Sequence, residues 1–196
     1  DVATQNVTFA SALMDVAGTL IADVSGDIQI NAAISTNGGL IDLDAGGSIT
    51  SSVTGSITTI STAAGGAVDL SAGTLVNLMA GIDTRGNDFG AFQNGDGGGM
   101  VAIEAQNGGV TATTITTSGG ISGSDNGAAG NVDVDATGAI DVTTIIAVGG
   151  ERVLGNGGAG GMVSLESSGD GVTVETITTG GGQGRNIDDP RRAGRH

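Results

Sequence analysis

The sequence predicts an all-β chain wound as a right-handed parallel β-helix, with three short strands per coil and about six coils of roughly 30 residues. Three observations predict it. A glycine followed by an alternating aliphatic triplet recurs five times. Glycine is abundant, at 39 copies, yet it follows no three-residue period, which excludes collagen. Aromatic residues are nearly absent, so any core must be thin and aliphatic.

The repeat is legible by aligning the glycines. Gly39 opens GLIDLDA, Gly66 opens GAVDLSA, Gly99 opens GMVAIEA, Gly130 opens GNVDVDA and Gly161 opens GMVSLES. Their spacings are 27, 33, 31 and 31 residues. A second triplet follows: Val76-Asn77-Leu78, Val110-Thr111-Ala112, Ile140-Asp141-Val142 and Val172-Thr173-Val174, with Ile28-Gln29-Ile30 as an earlier copy. A third strand centres on an isoleucine, at Ile34, Ile60, Ile82, Ile115, Ile145 and Ile177. Alternation sends positions 1 and 3 of a triplet inward and position 2 outward. Parallel stacking of the coils then predicts one buried column of those six isoleucines. Parallel crossovers are almost always right-handed, which sets the expected hand.

This divides the chain into a shaft, residues 1–184 with a partial coil at 1–25, and a Gly/Arg-rich tail or linker, residues 185–196. The opening DVATQNVTF has neither a basic start nor an apolar run, so it reads as strand sequence and not as a signal peptide. The chain therefore reads as an internal fragment or a mature product. No run approaches 18 consecutive apolar residues, so membrane insertion is not expected. The glycine runs before Met100 and Met162 read as sharp corners with positive φ. A phosphate cradle would need a helix after them, and no helical period follows. The longest turn, between Thr84 and Gly99, holds Phe89 and Phe92, which read as a flap over the side of the core.

The formal charge is −15, with no lysine. Up to Gly184 there are two arginines, Arg85 and Arg152, against nineteen acids. Such a surface repels nucleic acid and attracts cations or stays soluble in salt. The first strand projects Asp42/Asp44, Asp69/Ser71, Ala102/Glu104, Asp133/Asp135 and Ser164/Glu166 outward. Stacked carboxylates repel one another, and solvation and salt screening offset this on an exposed face. A weak Ca²⁺ site at Glu104, Asp133, Asp135 and Glu166 is the alternative, since Ca²⁺ takes several oxygen ligands with loose geometry. The Asn/Asp turns match neither the nonapeptide Ca²⁺ repeat nor the EF-hand loop. No other cofactor is expected.

The third strand reads as projecting Thr59/Ser61, Thr114/Thr116 and Thr176/Thr178. An ice-binding array is disfavoured by breaks at Ala33, Gly81, Asp83 and Ile146. Catalysis is not expected either. The one histidine is terminal His196, there is no cysteine or lysine, and the serines lack a base. Paired carboxylates occur without the aromatic and basic lining of a polysaccharide-cleaving groove.

Segments such as GGGMVAIEAQNGGVTATTITTSGG and GNVDVDATGAIDVTTIIAVGG resemble filamentous-haemagglutinin-like adhesins and related large β-strand-repeat surface proteins of Gram-negative bacteria. The resemblance is one of repeat style, over residues 26–182, and transfers no binding residue. It implies a β-helix shaft, secretion across the outer membrane, and an extracellular or outer-cell-surface location. It also implies a role in adhesion or surface architecture, with a cell-surface or matrix receptor as partner. The alternative is a subunit of a self-assembling extracellular filament or surface layer. In that case copies of the same protein meet end to end, because an uncapped solenoid leaves strand edges open.

Overall fold

Seventeen strands stack in register along one axis in the computed structural model, which describes residues 5–16, 18–60, 62, 64–88, 95–121, 126–151 and 156–183. No helix occurs among these residues. The first coil holds β1 (Val7–Phe9), β2 (Leu13–Val16) and β3 (Leu20–Val24). The second holds β4 (Ile28–Ile30), β5 (Ile34–Thr36) and β6 (Ile41–Ala45). The third holds β7 (Ile49–Ser51), β8 (Ile57–Thr58) and β9 (Val68–Ala72), and the fourth β10 (Val76–Leu78), β11 (Ile82–Asp83) and β12 (Val101–Ala105). In the next two, the first two strands fuse: β13 (Val110–Thr116) precedes β14 (Val132–Ala136), and β15 (Ile140–Val148) precedes β16 (Val163–Ser167). The last strand is β17 (Val172–Gly180).

Every pairing is parallel, and each strand pairs with its equivalents in the neighbouring coils. The chain is thus a parallel β-solenoid. β3, β6, β9, β12, β14 and β16 form one six-stranded sheet, and the other eleven strands form the second. The column Val7, Ile28, Ile49, Val76, Val110, Ile140, Val172 measures the coils. Its steps are 21, 21, 27, 34, 30 and 32 residues. Four coils near 30 residues therefore follow two of 21, where the sequence predicted a uniform length. The segment read as a partial coil supplies three strands, each paired to the second coil.

The core is aliphatic, as the composition required. Ile41, Val68, Val101 and Val132 form one column, with Leu43, Leu70, Ile103 and Val134 beside it, all buried. At the corner after these strands the column is Ala45, Ala72, Ala105 and Ala136, where only a methyl group is accommodated. Burying one Ile, Leu or Val side chain is worth about 1.5–3 kcal/mol, so a few per coil sustain a thin core.

The isoleucine column differs from the expected one at a single coil. Ile34 pairs with Ile57, and Ile57 with Ile82, so Ile60 lies outside the stack and is only half-buried. Ile82, Ile115, Ile145 and Ile177 continue the column as expected. Ile177 is 48% exposed because no described strand covers its edge, whereas Ile145 is fully buried. The slip from Ile60 to Ile57 is three residues. An odd shift turns every side chain to the other face, so Thr59 points inward instead of outward.

Thr59 is one of a set. Thr36, Thr59, Thr84 and Thr117 are fully buried at the end of the third strand position. Each Oγ1 donates to the carbonyl of the glycine that opens the next sheet strand: Gly39 at 2.7 Å, Gly66 at 2.6 Å, Gly99 at 2.7 Å and Gly130 at 2.7 Å. The amides of Gly66, Gly99 and Gly130 donate back to the threonine carbonyls at 3.2, 2.8 and 2.7 Å. This two-way clasp satisfies a buried hydroxyl and closes the corner. Ala147 takes the threonine's place in the following coil and keeps only the backbone bond, from Gly161 N, at 3.0 Å.

The clasp glycines form a column of close backbone approach. A Cβ on Gly66 would overlap the carbonyl of Gly39, one on Gly99 that of Gly66, and one on Gly130 that of Gly99. This replaces the expected cause. Among the described residues, positive φ occurs only at Gly18 (101°), Gly38 (76°) and Gly180 (155°), outside the glycine runs before Met100 and Met162. In those runs glycine is required by proximity of the next backbone, not by its own dihedral.

Two substitutions test the register and the clasp. Ile57→Asp buries an unpaired carboxyl and is expected to cost several kcal/mol, whereas Ile60→Asp, on a half-open surface, is expected to cost little. Equal losses of melting temperature would overturn the register. Thr117→Val is expected to lower stability by about 1–3 kcal/mol, because the Gly130 carbonyl loses its hydroxyl donor; denaturant unfolding measures it.

Candidate functional site

The outward face of the six-stranded sheet carries the acidic columns. One runs Asp42, Asp69, Ala102, Asp133, Ser164 and the other Asp44, Ser71, Glu104, Asp135, Glu166. The four residues considered for Ca²⁺ therefore divide: Glu104, Asp135 and Glu166 share a column, and Asp133 stands in the neighbouring one. Among the described residues, no three carboxylate or histidine side chains converge as a metal cage. Asn94 and Asp125, from the Asn/Asp turns, lie outside the described residues. Asp69 stands out electrostatically. Partial burial, followed by repulsion from Asp42 and then Asp44, holds its pKa above the ordinary carboxylate value of 3.8.

The third strand position does project hydroxyls. Thr114, Thr144 and Thr176 pair across three coils, and beside them Thr116, Ile146 and Thr178 do the same. Thr59 is absent from this face for the register reason given above. Ser61 lies outside the described residues, as do Phe89, Phe92 and the 185–196 tail.

The clasp also explains where the chain grows. Between clasp threonine and clasp glycine the separation is 3, 7, 15 and 13 residues in successive coils, yet the hydrogen bond hardly changes. Lengthening a loop costs little closure entropy, about 0.6 kcal/mol per doubling, so insertions at this corner leave the coil intact. From the fourth coil on, the insertions stack into a lateral wing built of glycine. Gly120 N donates to Asp96 O, Gly127 N to Gly120 O, Gly150 N to Gly127 O, Gly158 N to Gly150 O and Gly182 N to Gly158 O, at 2.8–3.3 Å. A Cβ on Gly120, Gly150 or Gly158 would strike a neighbouring carbonyl, so the limbs pack at a distance no side chain permits.

Where the wing leaves the sheet it forms a groove along the shaft. The sheet side presents Asp83, Thr116 and Ile146, which are register partners on β11, β13 and β15. The wing side presents Asn87, Asp88 and Ile121, with Asp88 Oδ1 accepting from Ile121 N at 2.8 Å. Arg85 stands between them and is the sole basic residue among the described ones. Its Nε donates to both Asp83 oxygens at 2.9 Å, and Nη2 lies 2.8 Å from Oδ2. The hydrogen bond to Asp83 raises the already high arginine pKa against partial burial, so the pair stays charged. Sequence reading missed this groove, because its two sides come from three coils and the wing's position follows only from the clasp.

No protein-family model, curated protein or solved structure matches the chain. The fold and the surfaces just described are therefore the basis for any functional reading.

The raised Asp69 gives a signed pH effect. Its folded-state pKa lies above its unfolded one, so its favourable contribution exists below the ordinary carboxylate range and is lost as pH rises through the folded value. Asp69→Asn is expected to raise the melting temperature slightly at neutral pH and to leave it unchanged near pH 3. Thermal melts across that range check it; a lower melting temperature for the variant at neutral pH would contradict the assignment.

Proposed function

We propose that the chain is a structural shaft segment of a secreted or cell-surface adhesin, serving adhesion or surface architecture on the outside of a bacterial cell. The observation that carries this reading is the open edge of the ladder. Val172 and Ile177 on β17 are 44% and 48% exposed, while their register partners Ile140 and Ile145 are fully buried. Among the described residues β17 pairs on one side only, and β16 ends its sheet. A strand edge beside aliphatic core is a template for another coil. Further coils of one long polypeptide satisfy it, and the acidic outward columns keep such a rod soluble and apart from its neighbours. The repeat-style resemblance to filamentous-haemagglutinin-like adhesins supports the same reading.

The open edge also favours a second reading, in which another copy of the chain supplies the next coil in a filament. An antibody against this chain separates the two on intact source cells. Surface labelling with an immunoreactive polypeptide many times larger than 18.7 kDa is the expected result for a shaft. A band near 18.7 kDa that sediments as long assemblies selects the filament. Labelling only after lysis would overturn both readings.

A further inference from the structure

We propose that the groove between the sheet and the glycine wing is a binding site for a neutral polysaccharide chain lying along the shaft. This goes beyond a structural role and does not depend on which assembly the chain enters. The first ground is placement. Repeat proteins put their recognition loops on one face as insertions between constant coils. Here the insertions of successive coils all leave from the clasp corner, and they build one side of the groove.

The second ground is chemistry, which removes the competing ligands in turn. Polyanions meet Asp83 and Asp88 on a chain of net charge −15, with one arginine that Asp83 already neutralises. A cation finds Arg85 bonded to Asp83, and the described residues hold no metal cage. A peptide strand finds no free edge, since β11 pairs with β8 on one side and β13 on the other. What remains is a neutral molecule bearing many hydroxyls. The Asp83–Arg85 pair sets carboxylate acceptors beside planar guanidinium donors, a geometry that suits neighbouring hydroxyls on one ring. Thr116 and the Asn87 amide add donors and acceptors, and Ile121, 44% exposed, with Ile146 offers aliphatic surface to the C–H face of a sugar ring. An exposed ion pair is worth only about 0–1 kcal/mol, so its partial rearrangement around a ligand costs little.

The test uses the full chain with immobilised neutral polysaccharides (an α-glucan, a β-glucan, a mannan and a galactan) and heparin as the polyanionic comparator. Binding to at least one neutral polymer, with none to heparin at physiological salt, is expected. Arg85→Ala and Ile121→Glu should each weaken that binding roughly tenfold or more, since both remove groove contacts without touching the core. Thr173→Glu, on an exposed outward position away from the groove, should leave binding unchanged. Circular dichroism of all variants controls for folding, which these exposed positions should not affect. Failure to bind any neutral polymer, preference for heparin, or binding insensitive to the groove variants would each overturn the proposal. The cell-surface outcome above would stand in every case.

Discussion

Parallel pairing of consecutive coils holds equivalent residues at one fixed separation, ~4.8 Å along the axis, and most features of this protein follow from that spacing. Stacked backbones admit nothing between them at the corners, hence the column in which each of Gly39, Gly66, Gly99 and Gly130 abuts the glycine of the coil before. Stacked interiors admit one aliphatic side chain per position, hence the Ile/Val/Leu columns without rings. Stacked exteriors bring like charges together, hence the electrostatic perturbation of Asp69 by Asp42 and Asp44. Core, corners and surface are three consequences of one repeat distance.

Within that constraint the threonine–glycine clasp separates what is constant from what varies. Thr36 and Gly39 are three residues apart, Thr84 and Gly99 fifteen, and the same hydroxyl-to-carbonyl bond closes both corners. The coil therefore tolerates a change in chain length at one place only. The inserted segments cannot join the aliphatic core, which is already sealed by the clasp. They satisfy their backbone groups among themselves instead, and glycine is the residue that lets extended limbs approach closely enough to do so. The wing is thus a second stack beside the first, held by hydrogen bonds with almost no buried apolar surface. Elements of that kind open more readily than packed strands.

The electrostatic design divides along the same line. Carboxylates occupy the outward positions of the six-stranded sheet, where solvent screens them. The single described arginine lies at the junction of sheet and wing, paired with Asp83, where the surface is concave. A rod with one acidic face and one mixed, concave face presents two different surfaces to its surroundings.

Much of this was legible in the sequence, because periodicity reports directly on which residues face inward. The five glycine-led triplets located one sheet, and their alternation identified both its buried columns and its acidic outward columns, including Glu104, Asp133, Asp135 and Glu166. Local pattern failed where two readings fit equally. Ser56-Ile57-Thr58-Thr59 and Thr59-Ile60-Ser61-Thr62 have the same form, and only the pairing of Ile57 with both Ile34 and Ile82 chooses between them. The spacing from Ile49 offered a hint, since every other isoleucine of the column follows its second triplet by five or six residues; but Ile49-Thr50-Ser51, with a serine facing inward, did not read as that triplet. The groove was beyond local reading altogether, because Asp83, Thr116 and Ile146 are far apart along the chain. The sequence by itself determined the period, the inward faces and the charge of the shaft. Tertiary structure decided the register of the third coil and the position of the wing, because both depend on which backbone lies one coil above.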